Sequence, residues 1–212
     1  LGVPRKGRGL PRTVARDARL APPARPRRDI RHGIGGTVKF TLTDEIPFPR
    51  ETVFRTHRDK LVEIVPYLPN VQSIVVESRV EQGPVVQLVN LWAGTADDVP
   101  AVIRPLIKPE LLTWIDRATW DESKWRCDWD IQLTALPDAI TARGYNLMRE
   151  EDGETIIQMQ GEFTIHPDRV PGVPAFVARA AAPTLERFVV GLLQPNLRKT
   201  NEAVKTWLRD HR

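Results

Sequence analysis

Cysteine is nearly missing from this chain of 212 residues: Cys127 stands alone, which excludes an intramolecular disulfide and any cysteine cluster for a metal built within the chain. A run of about 18 apolar residues without charge is also absent, so no membrane-spanning helix is expected. The N-terminal stretch is basic but has no apolar core, and a secretory signal is not expected either. Serine hydrolases, P-loop enzymes and dinucleotide-binding folds lose their usual markers, because G-x-S-x-G, G-x-x-x-x-G-K and the Rossmann glycine fingerprint do not occur. The four histidines, His32, His57, His166 and His211, show no metal-ligand spacing. No cofactor and no metal are expected, catalysis has thin support, and the chain reads as a cytoplasmic protein.

Acidic and aromatic side chains are scarce at one end of the chain. Residues 1–36 carry ten basic groups against Asp17 and Asp29, six glycines, five prolines, and no aromatic residue or serine. The net charge of +4 therefore divides into +8 for this tail and −4 for residues 37–212. Without an apolar period the tail buries too little surface to offset its chain entropy, and disorder is expected. Three roles stay open for it: a solvated extension or over-extended reading frame, an electrostatic anchor to anionic lipid or nucleic acid, and a targeting segment. The part expected to fold is mildly acidic, so it is not expected to bind nucleic acid.

From Thr37 onward the pattern turns to period two. Val38, Phe40, Leu42 and Ile46 alternate with Lys39, Thr41, Thr43 and Glu45, as in a half-buried strand. Pro49 and Glu51 then open a helix of about four turns whose apolar face is Val53, Phe54, His57, Leu61, Ile64, Val65 and Leu68, with Pro66 at its end. Further strands are expected at Val71–Val80, Val85–Trp92, Leu111–Trp120, Lys124–Ala135, Ala139–Arg149 and Thr155–His166. Their short polar connections make neighbours antiparallel. Val173–Arg212 has helical composition and a broad apolar side that includes Phe176, Phe188, Val204, Trp207 and Leu208, interrupted at Pro183 and Pro195.

The expected fold class is α+β: a curved antiparallel sheet of about seven strands wrapped around a long C-terminal helix. One helix cannot pack flush along such a sheet, and a cavity between them is the consequence. Polar residues on apolar strand faces are the sharpest leads to what it holds, since burying them unpaired costs about 1–3 kcal/mol by protein mutational data. Asp116 shares a face with Trp114, Ala118 and Trp120, so its carboxylate has to meet a cation, such as Arg143 or Arg117, or keep its proton. Asn90 lies between Leu88 and Trp92 in the same way, and Arg143 and Tyr145 share a side with Thr141 and Leu147 that is suited to orient a ligand head group. A solvated convex face or a structural polar network accounts for the same pattern. Five of the six tryptophans fall between 92 and 129, with Trp114 and Trp120 on one face and Trp125 and Trp129 on another; such indoles line pockets or fill cores. Cys127 and His57 are expected to be packed residues.

The run Trp92-Ala93-Gly94, followed by Val99-Pro100-Ala101-Val102-Ile103-Arg104-Pro105-Leu106-Ile107, resembles the lid after a strand-ending tryptophan in PRELI-type lipid-transfer proteins. Asn196-Leu197-Arg198-Lys199 with Ala203 and Trp207 is similar to the ending of that group, and the order of elements over residues 37–212 resembles the START-like, or SRPBCC, helix-grip superfamily, including its uncharacterised bacterial members. The prolines between Pro167 and Pro174 depart from the PRELI-type pattern. The resemblance implies binding or transfer of a lipid or other apolar small molecule. The residues set out for that role are Asn90, Trp92, Trp114, Asp116, Trp120, Trp129, Arg143, Tyr145, Phe176 and Phe188. The lid would consist of Val102, Ile103, Leu106 and Ile107, either touching a membrane transiently or forming an ordinary packed loop. A cyclase or aromatase of the polyketide type using the same pocket, and a protein-interaction module, are the alternatives; the oligomeric state is not legible.

Overall fold

Alternation of side chains decides the architecture. The computed structural model describes residues 36–97, 109–172, 174–176, 180 and 197–211, all within the unit Gly33–Arg212. Strand β1, Gly36–Ile46, turns Phe40, Leu42 and Ile46 inward and leaves Lys39, Thr41, Thr43 and Glu45 on the outer side. After helices α1 (Arg50–Asp59) and α2 (Leu61–Ile64) come β2 (Val71–Gln82), β3 (Val85–Gly94), β4 (Thr113–Asp121), β5 (Arg126–Leu133), β6 (Ile140–Glu151) and β7 (Glu154–Ile165). The described part of the C-terminal segment forms helix α3 over residues 197–210. The tail up to residue 35, the lid residues Val102, Ile103, Leu106 and Ile107, and Phe188 lie outside the described residues.

Seven antiparallel strands form one sheet in the order β1-β7-β6-β5-β4-β3-β2. Consecutive strands from β2 to β7 are neighbours, with short connections everywhere except between β3 and β4, and β1 closes the far edge against β7. The β6–β7 connection is tight because Asp152 (φ 52°) and Gly153 (φ 81°) both take the left-handed conformation that a two-residue hairpin needs. The inner face carries the core: Phe40, Ile46, Leu88, Trp120, Ile157 and Phe163 are all buried. β2 is an edge strand on which only Ile74 is buried, and two register shifts break its flatness.

The expected four-turn helix is in fact two. Lys60, at φ −116° and ψ 11°, interrupts it after its N–H has closed on Thr56 O at 3.0 Å. The bend lets both pieces follow the curved sheet, so Val53, Phe54, His57, Leu61 and Ile64 are still all buried. Pro66 has no N–H to give to Val62 and tightens the end into a single 3-10 turn, Val65–Tyr67. At the other end Pro49 supplies no side-chain cap; Glu150 of β6 accepts from the Arg50 N–H at 2.8 Å instead, placing a carboxylate on the positive end of α1.

β6 and β7 face each other through a pair of glycines. Gly144 is opposite Gly161, and a Cβ on either would stand 2.6 or 2.8 Å from the Trp129 indole. The two glycines therefore let Trp129 lie against bare backbone, where it stacks towards Phe40 at 6.3 Å. Trp125 is a correction. It does not share the strand face of Trp129 but occupies the β4–β5 turn at φ 52°, between the Arg50 guanidinium (4.3 Å) and the edge of Phe54 (5.4 Å).

Candidate functional site

The concave face of the sheet, helices α1 and α2, and residues 197–201 of α3 line a cavity of about 530 Å³. Its floor is the inner face of β3, β4 and β5, where period two places Trp92, then Trp114, Asp116, Ala118 and Trp120, then Cys127, Trp129, Ile131 and Leu133. Leu61 and Leu68 come from the helical side, and Leu197, Thr200 and Asn201 from α3. Trp92 and Trp114, opposite each other across β3 and β4, stack at 5.6 Å and 20°. The Trp129 indole is fixed by donating to Asn146 Oδ1 at 3.1 Å.

Asp116 is the acid in this apolar lining. Asn90, its register partner on β3 and wholly buried, donates to Oδ2 at 3.2 Å, while the Asn90 Oδ1 has no partner among the described residues. Burial pushes the Asp116 pKa up to about 6, against the pull of Asn90 and a weaker one from the Trp92 indole. The Trp92 Nε1 itself is buried without meeting hydrogen-bond geometry. No lysine or arginine occurs among the described lining residues. Cys127, 3% exposed, has its thiol pKa raised by burial and by the carboxylates of Asp116 and Asp128, so it stays a protonated core group.

A second polar feature joins three elements at the opposite wall. His57 of α1 contacts Val53 O through Nδ1 at 3.0 Å and Asn201 Oδ1 of α3 through Nε2 at 3.1 Å. Asn201 in turn donates from Nδ2 to Asp44 of β1 at 2.6 Å. Both ring nitrogens thus face oxygen acceptors, an arrangement that the doubly protonated imidazole satisfies. Burial works the other way and holds the His57 pKa below the ordinary histidine value, with the bonds to Val53 and Asn201 offsetting part of it. Loss of the proton leaves one of the two contacts without its hydrogen.

Of the residues singled out from the sequence, Trp92, Trp114, Asp116, Trp120 and Trp129 line the cavity, and Asn90 stands behind Asp116. Arg143 and Tyr145 do not. Ala142, Gly144, Asn146 and Met148 are the inward residues of β6, so Arg143 projects outward, 74% exposed, and pairs with Glu162 at 2.7 Å, while Tyr145 lies under the Arg126 guanidinium at 3.8 Å. Arg117 also faces outward, towards Asp130 at 4.0 Å, and neither arginine neutralises Asp116. Phe176 is 76% exposed and does not join the lining. Sequence reasoning overlooked Asn201, although it lies among Leu197, Val204 and Leu208 on one helical stripe, the same signal that drew attention to Asp116. Among the described residues no three histidine, cysteine or carboxylate groups gather as metal ligands, and no helix is long and apolar enough to cross a membrane.

No family model matches the chain, and no curated protein does. Solved structures do. The aromatase/cyclase Zhui from Streptomyces sp. R1128 superposes with a TM-score of 0.58 at 14% identity, over 81% of this chain and 93% of that one. TTHA0849 from Thermus thermophilus gives 0.57 at 18% identity, over 80% and 95%. Norcoclaurine synthase from Thalictrum flavum, in complex with dopamine and hydroxybenzaldehyde, gives 0.53 at 10% identity, over 92% and 98%. This is the helix-grip fold. At such identities the likeness concerns the architecture alone: the grip is the curved sheet, and α3 is the described part of the helix against it. In the helix-grip frame the cavity occupies the space between sheet and α3, with Asp116 and His57 among its lining residues.

Proposed function

We propose that the chain binds an apolar small molecule, a lipid or a ring compound, in the space between sheet and C-terminal helix. The observation that carries this reading is the cavity of about 530 Å³ with a tryptophan floor, in the size range of about 300–1,000 Å³ typical of small-molecule sites. A core built for stability alone closes such a volume, because each unfilled methylene costs transfer and cavity energy. The complex of the norcoclaurine synthase with two small aromatic molecules supports the reading, as an instance of the same architecture holding ring compounds. Transfer through brief contact with a membrane, using the segment Val102 to Ile107, belongs to the same proposal. The test is uptake of a fluorescent acyl probe by the purified full chain: saturable binding of one probe per chain is expected, and absence of any saturable uptake refutes it.

A second reading is favoured by one observation. Asp116 faces the cavity with a pKa of about 6, which suits an acid-base group working near neutrality, as a cyclase or aromatase requires. The Zhui aromatase/cyclase supports it by fold only. Turnover of a polyketide-like substrate, lost in Asp116→Asn with probe binding intact, would establish catalysis; binding without turnover leaves the first reading standing.

A further inference from the structure

An acid that serves packing alone is an expensive choice at this position. Asp116 stands in the middle of the cavity floor with Trp114 and Ala118 beside it on β4, Asn90 opposite on β3 and Ile131 opposite on β5. Ala118 and Ile131 bring no donor to it. Its described hydrogen bond comes from Asn90 Nδ2 at 3.2 Å, with the Trp92 indole N–H outside hydrogen-bond geometry, whereas a carboxylate offers about four acceptor positions. Arg117, the next residue on β4, and Arg143 on β6 are turned to the outer face and paired with Asp130 and Glu162. The carboxyl therefore retains acceptor capacity that the described protein groups leave open, on the surface of a cavity with room for a guest.

The surroundings narrow the guest further. The stacked pair Trp92 and Trp114 lies one inward step along the sheet from Asp116, and Trp129 is opposite Ala118, one step the other way. Flat π faces on both sides of the acid favour a ring or a cation over a bare chain. A ligand carboxylate placed there would meet a like charge in a medium of low dielectric.

We propose that the occupant is an apolar molecule carrying a hydrogen-bond donor, a hydroxyl or an ammonium group, and that Asp116 is the acceptor that selects it. This rests on the ligand-binding reading above and adds the class of ligand and the residue that determines specificity. Hydroxyl and ammonium share the required chemistry, a proton presented to the carboxyl, and a donor that fills the open position satisfies the acid without a protein cation. Acidic amphiphiles are excluded from this orientation.

The test compares matched probes on the full chain: biphenyl, hydroxybiphenyl, aminomethylbiphenyl and biphenyl carboxylate, followed through emission of the tryptophans lining the cavity. Wild type is expected to bind the hydroxyl or the amine form about tenfold or more tighter than biphenyl, and the carboxylate weakest. In Asp116→Leu the donor advantage is expected to vanish. Should that variant fail to fold, Asp116→Asn keeps the shape and is expected to relax the exclusion of the carboxylate. Equal binding of biphenyl and both donor forms by wild type, or a donor advantage that survives Asp116→Leu, overturns the proposal while leaving the cavity reading in place. Failure of all four probes to bind while the acyl probe is taken up overturns the proposal alone, and failure of the acyl probe as well removes both.

Discussion

Replacing Asp116 by asparagine is expected to stabilise the protein at neutral pH, an unusual sign for a substitution of a partly buried residue. The carboxyl has its pKa raised from 3.8 to about 6, chiefly because burial disfavours its charge. A folded-state value above the unfolded one means that the folded chain binds the proton more tightly between the two. Stability is then fully present below pH 3.8 and falls as pH rises through about 6. With about 1.4 kcal/mol for each tenfold change in proton affinity, the interval from 3.8 to about 6 amounts to about 3 kcal/mol lost by pH 7.5. Asparagine carries no charge to bury and keeps an oxygen for Asn90 Nδ2, so most of that loss is expected to disappear in Asp116→Asn. Urea unfolding of both proteins from pH 4 to pH 8 gives the difference directly. Subtraction cancels the opposite contribution of His57, whose depressed pKa favours the folded state as pH rises. A difference between the two proteins that does not change with pH would refute the reasoning.

Three other perturbations have expected outcomes. Asn201→Ala removes the bridge between His57 and Asp44 and is expected to cost about 1–3 kcal/mol in chemical denaturation, since it leaves buried polar atoms unpaired; a loss below about 0.5 kcal/mol would show that the bridge carries little. Gly161→Ala forces a Cβ to 2.8 Å from the Trp129 indole and 2.9 Å from Phe40, and is expected to destabilise by about 1–3 kcal/mol and to alter the near-ultraviolet circular dichroism of the tryptophans. An unchanged spectrum and stability would mean that the indole does not lie on this glycine. Ala118→Phe puts a ring into the cavity floor and is expected to weaken acyl-probe binding about tenfold or more with the fold retained by far-ultraviolet circular dichroism; undiminished binding would locate the probe elsewhere.

The strands themselves and most of the cavity floor were legible because period-two alternation is strong where one face is buried. On β4 the tryptophans and Asp116 fall on one parity, and that parity is the one facing the cavity. The same rule failed on β6 for a reason visible in its packing. Its inward residues include Gly144, which must be small to admit Trp129, and Asn146, which holds the indole N–H, so the buried face looks polar and the outer face, with Tyr145 and Leu147, looks apolar. Arg143 and Tyr145 were drawn to the wrong side by that inversion. The break at Lys60 leaves no sequence signal, since the apolar spacing from Val53 to Leu68 runs unbroken across it. Asn201 was readable as a polar residue on an apolar helical stripe, but its partners His57 and Asp44 lie 144 and 157 residues away in sequence, and such pairings emerge only from the fold.

Mass spectrometry of the purified chain under native conditions bears most directly on whether the space beneath α3 is a ligand site. The expected spectrum shows the chain carrying one small apolar molecule, or taking up one equivalent of hydroxybiphenyl when supplied, with Ala118→Phe unable to do either. A chain that stays bare in both experiments, and whose spectrum Ala118→Phe does not change, would contradict the account.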